Sequence, residues 1–182
     1  MSRCLFSEFG VAGLFMNDTV PSMLDFEVPV TTQAPPAQST LDLVLDTNVV
    51  LDWLVFGHPI GAVLEQALTS GRCRWLWSAA MRDELAHVIA RDALKRWAID
   101  PPAVLAVFDA LGVDTGTPAP LGAAASPRCS DPDDQMFIDL AIAHGAHALL
   151  TRDRALLRLA SRARGSGVLI ATPEAWAASA QR

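Results

Sequence analysis

From position 41 onward, short apolar runs alternate with longer stretches of helical period. Residues 41–45 predict a buried strand, 49–55 a helix capped by Asn48 or Thr47, and 59–70 a second helix closed by Gly71. Trp75-Leu76-Trp77 predicts the next strand, after which Ser78 caps a helix over 79–89. Asp100-Pro101-Pro102 opens a helix that stops at Gly112, a short strand falls near Val113, and 115–130 reads as loop. In the last third, Asp131-Pro132-Asp133-Asp134 opens a helix that runs to His144 and closes at Gly145. It is followed by a strand over 148–151, a helix over 154–163 and a strand over 168–171. Thr172-Pro173-Glu174 then starts a terminal helix, with a cap and a proline at its first position. Strands alternating with helices of this length imply βαβ units and a parallel sheet.

The first forty residues do not share this regularity. They carry no sustained period and end in Thr31-Thr32-Gln33-Ala34-Pro35-Pro36-Ala37-Gln38-Ser39-Thr40, a linker composition that predicts a mobile extension over 1–40 ahead of a domain over 41–182. Met23 is an alternative start. At 182 residues the chain is long enough for one domain with a sizeable core. Its 51% hydrophobic content and mean hydropathy of +0.28 belong to buried strands covered on both faces, because no apolar run approaches the roughly 20 residues that span a bilayer. Cys4, Cys73 and Cys129 are too few, too scattered and of the wrong number for a disulfide framework or a zinc site. Residues 9–16 are apolar but lie between Glu8 and Asp18, with no small-residue cleavage pattern. The expectation is a cytoplasmic protein with no membrane partner.

Net charge is −6, and residues 1–40 supply half of it with four acids against one arginine. Basic residues gather at Arg91, Lys95 and Arg96, and again at Arg152, Arg154, Arg158, Arg162 and Arg164. A charge run of this kind is ordinarily a solvated helix face, yet a cationic rim beside an anionic centre is also what a polyanion requires.

Four acids are the candidate chemistry. Asp46 follows the first strand, Asp153 follows the strand that ends at Thr151, Asp134 opens a helix, and Glu84 sits inside the helix that follows the second strand. Each has a plain structural alternative. Asp46, Asp134 and Asp153 all suit helix caps, and Glu84 suits an exposed helix face. What singles them out is the combination. Sites in open α/β sheets form at the carboxyl ends of strands. Carboxylates gathered there repel by about 4 kcal/mol per close pair at an effective dielectric near 20, so a fold that tolerates them accommodates a hard divalent cation. Asp52, Asp83, Asp133 and Asp139 are left outside this set. Trp75 and Trp77 are read as core, and His144 and His147 as structural. There is no defensible Ser-His or Cys-His arrangement, no Gly-rich phosphate loop and no HExxH.

In these motifs the chain resembles the PIN-domain family over nearly all of 41–182. Leu43-Val44-Leu45-Asp46-Thr47-Asn48-Val49-Val50 is similar to the family's first acidic motif, and Ser78-Ala79-Ala80-Met81-Arg82-Asp83-Glu84-Leu85 to its second. Asp131-Pro132-Asp133-Asp134-Gln135-Met136-Phe137 is similar to the third, and Leu149-Leu150-Thr151-Arg152-Asp153 to the fourth. The DPDD form resembles the VapC-like branch of toxin components of bacterial type II toxin–antitoxin systems. The resemblance implies a three-layer α/β/α fold around a parallel sheet of four to five strands. It also implies a Mg²⁺- or Mn²⁺-dependent endoribonuclease, with Asp46, Glu84, Asp134 and Asp153 catalytic and Asp46, Asp134 and Asp153 on the metal. Thr47, Asn48 and Thr151 would support the acids, and Arg152 and Arg154 would reach flanking phosphates of an RNA substrate. A cognate antitoxin that masks the site and a homodimer complete the implied picture.

The N-terminal forty residues and the acidic balance depart from the family pattern. A silent PIN-like module that binds RNA or protein without cutting stays open as an alternative. A phosphotransfer protein of the haloacid-dehalogenase or response-regulator type is disfavoured. Asn48 stands where the phosphatase pattern needs a second aspartate, and Lys95 lies mid-chain where a receiver needs its lysine late.

Overall fold

A computed structural model describes residues 40–180, apart from 98, 123 and 124. The extension expected over 1–40 therefore lies, except for Thr40, outside the described residues. Five strands, β1 (Leu41–Leu45), β2 (Cys73–Trp77), β3 (Gly112–Asp114), β4 (Ala148–Leu150) and β5 (Leu169–Ala171), form one sheet in the order β3-β2-β1-β4-β5. Every pairing is parallel, with Leu43 opposite Trp75 on one side and Ala148 on the other. The chain starts in the middle of the sheet, moves outward to β3, then crosses back to the other side of β1. The order reverses between β1 and β4, and a crevice opens at the carboxyl ends of strands at such a reversal. Asp46 and Asp153 follow these two strands.

Helices cover both faces, giving the three-layer arrangement. They are α1 (Thr47–Leu54), α2 (Ile60–Thr69), α3 (Ala79–Ile89), α4 (Pro101–Leu111), α5 (Gln135–Ala143), α6 (Arg154–Leu157), α7 (Ala160–Ala163) and α8 (Pro173–Ala180). α2 packs on β2 and α8, whereas α5 packs on β1 and β4, and α7 on β5. The central strands are buried on both sides, and this accounts for their unbroken apolar runs: Leu43, Val44, Ala148, Leu149 and Leu150 are all fully buried. Trp75 and Trp77 are core residues, as their alternation on a strand suggests. Trp75 meets Phe108 edge-on at 4.5 Å between centroids and Trp53 at 6.0 Å, and Trp77 meets Phe108 at 5.1 Å. Gly112 leaves room for this cluster, because a Cβ there would stand 2.3 Å from the Trp77 ring.

Beyond shifts of one or two residues at strand and helix ends, three expectations change. The cap of α1 is Asp46 itself, extended at φ −68° and ψ 150°, rather than Thr47 or Asn48; its carboxylate accepts from the Asn48 N–H. The helix expected from Asp131 begins only at Gln135, because Asp131 Oδ1 captures the Asp133 N–H at 3.0 Å and folds 131–134 into turns. The single helix expected over 154–163 is two short ones, followed by a 3-10 turn at Arg164–Ser166. The break still keeps Leu156, Leu159 and Ala163 buried on one face. A 3-10 helix over Asp92–Trp97 had no signal in the periodicity.

Candidate active site

The β1 and β4 ends are stitched together by polar side chains. The Asp46 N–H donates to the Leu150 carbonyl at 3.0 Å, and the Thr151 N–H to the Ala171 carbonyl at 3.0 Å, so the ladder continues one residue past each strand. Thr151, fully buried, donates its hydroxyl to Asp46 Oδ2 at 2.5 Å and accepts the Asp153 N–H at 2.8 Å. Asn48 works in both directions. Its Nδ2 donates to Asp46 Oδ2 at 2.5 Å, and its Oδ1 accepts the Arg152 N–H at 3.1 Å. Asp46 is only 4% exposed. That burial pushes its carboxyl up from the usual range, against the hydrogen bonds of Thr151 and Asn48, and the Asp153 carboxylate adds to the rise. Asp153 caps α6, with Oδ1 accepting from the Ala155 N–H at 2.5 Å and the Leu156 N–H at 3.1 Å.

Glu84 faces the same centre from α3. Thr47 donates to Glu84 Oε2 at 2.9 Å, which links it to the residue beside Asp46. Burial raises the Glu84 carboxyl, Thr47 opposes, the Asp46 and Asp133 carboxylates raise it further, and Arg91 lowers it. Asp134 completes the group. Its carboxyl is pushed up to about 7, first by burial and then by the carboxylates of Asp46, Asp153, Asp131 and Glu84. The carboxylates of the other three acids of the set thus all act on Asp134. An open groove of about 660 Å³ leads away from Glu84, between His87 on α3 and Arg91 just beyond its end, and Pro132, Asp133 and Met136 opposite.

Asp46, Asp134 and Asp153 are the expected ligand trio. Among the described residues, no three His, Cys, Asp or Glu side chains are grouped closely enough to hold a metal ion. Asp46 and Asp153 each commit oxygens to the hydrogen bonds above. The donor chemistry nevertheless fits a hard cation. All donors are carboxylate oxygens, their repulsion is expressed in the raised Asp134, and Mg²⁺ in particular is held by one or two carboxylates with water completing its octahedron.

Arg152, expected on a flanking phosphate, instead has its guanidinium engaged by Asp52 and Glu174. Arg154 is exposed, with no ion pair among the described residues. Asp139 turns away from the acids: its Oδ1 accepts from Ser126 Oγ at 2.5 Å and Gln135 Nε2 at 2.8 Å. Gln135 also bonds the Cys129 N–H at 2.8 Å and the Pro127 carbonyl at 3.2 Å. This part-buried anchor holds the segment that delivers Asp134. The sequence reading missed it, although Gln135 directly after the DPDD run was an available signal; Ser126, inside a loop, offered none. Asp131 and Asp133 were likewise undervalued as contributors of charge.

A family model for the PIN domain matches residues 42–155, more than half of the chain. The chain belongs to the PIN-domain family. That match spans all four acids. Among solved structures, this PIN domain is similar to a chain in the crystal structure of VapBC2 from Rickettsia felis bound to a DNA fragment from their promoter. The TM-score is 0.50 at 14% identity, over 72% of this chain and 98% of the other. At that identity the likeness concerns the fold. No curated protein matches the chain.

Proposed function

We propose that the protein is a Mg²⁺- or Mn²⁺-dependent endoribonuclease, the toxin of a toxin–antitoxin pair. The observation that carries this reading is the Asp134 carboxyl, raised to about 7 by burial and by Asp46, Asp153, Asp131 and Glu84. Partly buried acids that raise one another's proton affinity at a sheet reversal are stabilised in their charged form by a cation among them. Family membership supports nuclease chemistry, and the motifs and the fold shared with VapBC2 favour the toxin branch.

Asp134, joined by Asp46 or Asp153, would hold the ion. When bound, a divalent ion here supplies a nucleophilic water at neutral pH and stabilises charge on the departing oxygen. The chain's own groups do the rest. Asn48 and Thr151 fix the Asp46 carboxylate so that its oxygens do not rotate. Glu84, oriented by Thr47, is placed to align the attacking water and take its proton. The groove beside Glu84 gives the strand adjoining the scissile phosphate a path, with Arg91 as a cationic contact. Antitoxin masking, homodimer formation and a cytoplasmic location belong to the same proposal. Among the described residues no helix is long and apolar enough to cross a membrane.

The test is cleavage of a mixed RNA pool with Mn²⁺, with and without EDTA, by the parent and by folded Asp46→Asn and Asp134→Asn variants. Cleavage that EDTA and both substitutions abolish supports the proposal. Unchanged rates in the variants overturn it, and RNA binding without any metal-sensitive cleavage favours the silent binding module instead.

A further inference from the structure

Arg152 stands between Thr151 and Asp153, the two residues that tie β4 to the acidic centre. Its backbone N–H donates to Asn48 Oδ1 at 3.1 Å. In the side chain, Nε donates to Asp52 Oδ2 on α1, while Nη1 and Nη2 donate to Glu174 Oε2 and Oε1 at 3.1 and 2.5 Å in the first turn of α8. His58 Nδ1 adds a further approach to Glu174 Oε1 at 3.9 Å. Nε and both terminal nitrogens of the guanidinium therefore face carboxylates from two helices. The Arg152–Asp52–Glu174 group carries a net single negative charge, and such a group repels a phosphate rather than binding one.

Resting on the nuclease reading, we infer that Arg152 is a positioning residue. With Glu174 and Asp52, it holds the Thr151-Arg152-Asp153 turn in register against Asp46, making α8 a working part of the site. The bidentate pairing suits this task because it fixes direction as well as distance. Partly exposed ion pairs contribute little to global stability, yet a misplacement of about 1 Å at a reacting centre costs on the order of a hundredfold in rate. A brace of this kind therefore betrays itself as a large effect on the site with a small effect on unfolding.

The experiment compares the parent with Arg152→Met, Arg152→Lys and Glu174→Gln, in four measurements: amide hydrogen exchange at residues 152 and 153, Mn²⁺ binding by calorimetry without RNA, kcat and KM for RNA cleavage, and the salt dependence of RNA binding with EDTA present. Arg152→Met and Glu174→Gln are expected to speed exchange at both amides at least about tenfold with a nearly unchanged Tm. They should also weaken Mn²⁺ binding and lower kcat by about ten- to a hundredfold, leaving KM and the salt slope as in the parent. Arg152→Lys, which keeps the charge but not the fork, should fall between. A rise in KM with a loss of about one in the salt slope would make Arg152 a phosphate contact and overturn the inference. Unchanged exchange at 152 and 153 overturns it whatever the activity. If the parent neither binds Mn²⁺ nor cleaves RNA while both variants still loosen the turn, the nuclease reading fails and the brace stands.

Discussion

Asp46 and Asp134 both sit at the start of a helix, and the fold treats them in opposite ways. Asp46 is 4% exposed and receives hydrogen bonds from the Asn48 side chain and N–H and from Thr151. No capping bond holds the Asp134 side chain, and its proton affinity is raised to about 7 by burial and by the surrounding acids. The β1–β4 half of the site is satisfied by its own chain, whereas the α5 half is left electrostatically unsatisfied. The first half supplies geometry, and on the proposed reading the second supplies the drive to take up a cation.

The most severe way to break this comparison is to remove a carboxylate from each half. Asp46→Asn and Asp134→Asn are each expected to cut Mn²⁺-dependent cleavage by at least about a hundredfold, since loss of a mere supporting partner costs ten- to a hundredfold. In metal-free buffer the two should part company. Asp134→Asn stabilises the protein by removing repulsion, and Asp46→Asn destabilises it by disturbing the acceptor that Thr151 and Asn48 require. Thermal unfolding of both at pH 8 checks this.

Thr151→Val tests the satisfied half alone. It takes one donor from Asp46, which keeps those of Asn48, and leaves the Asp153 N–H without its partner, so activity should fall about ten- to a hundredfold and stability by about 1–3 kcal/mol, as read by chemical denaturation.

The unsatisfied half should announce itself in pH dependence. Unfolded, Asp134 releases its proton near 3.8; folded, it keeps it to about 7. Between those values the native state binds the extra proton. Its contribution to stability is therefore present at low pH, declines as pH rises from about 4 to about 7, and levels off above. Melting in EDTA across this range should show the decline in the parent and a flatter profile in Asp134→Asn, with Mn²⁺ restoring stability above pH 7. The smallest expected effect is that of Ser126→Ala. It removes one hydroxyl from the Gln135–Asp139 anchor and should cost ~1 kcal/mol by the same denaturation assay.

The strands were legible because burial on both faces leaves an unbroken apolar run, and β1, β2 and β4 carry one each. The convergence of acids could be anticipated from Asp46 and Asp153 because strand ends in such sheets share one edge. Side-chain partnerships could not. The choice between Asp46 and Asn48 as cap of α1 depends on Thr151, more than a hundred positions away, and periodicity within one segment carries no such information. Arg152 illustrates the same gap. Beside Asp153 in a run of arginines it suggested a phosphate contact, while the carboxylates that engage it lie on α1 and α8. The delayed start of α5 reflects competition inside the DPDD run, where an Asx turn wins over the helical first turn.

Because every strand runs the same way, the molecule has a front and a rear. The acids crowd the front, while glycines in the left-handed backbone region, Gly71 at φ 73°, Gly145 at φ 60° and Gly167 at φ 81°, make the tight returns shortly before β2, β4 and β5. The chain enters β1 at Leu41, on the rear edge, so a tag or surface tether joined ahead of that strand begins about 17 Å from Asp46. A form tethered directly ahead of Leu41, without residues 1–39, would turn the acidic end of the sheet away from the support.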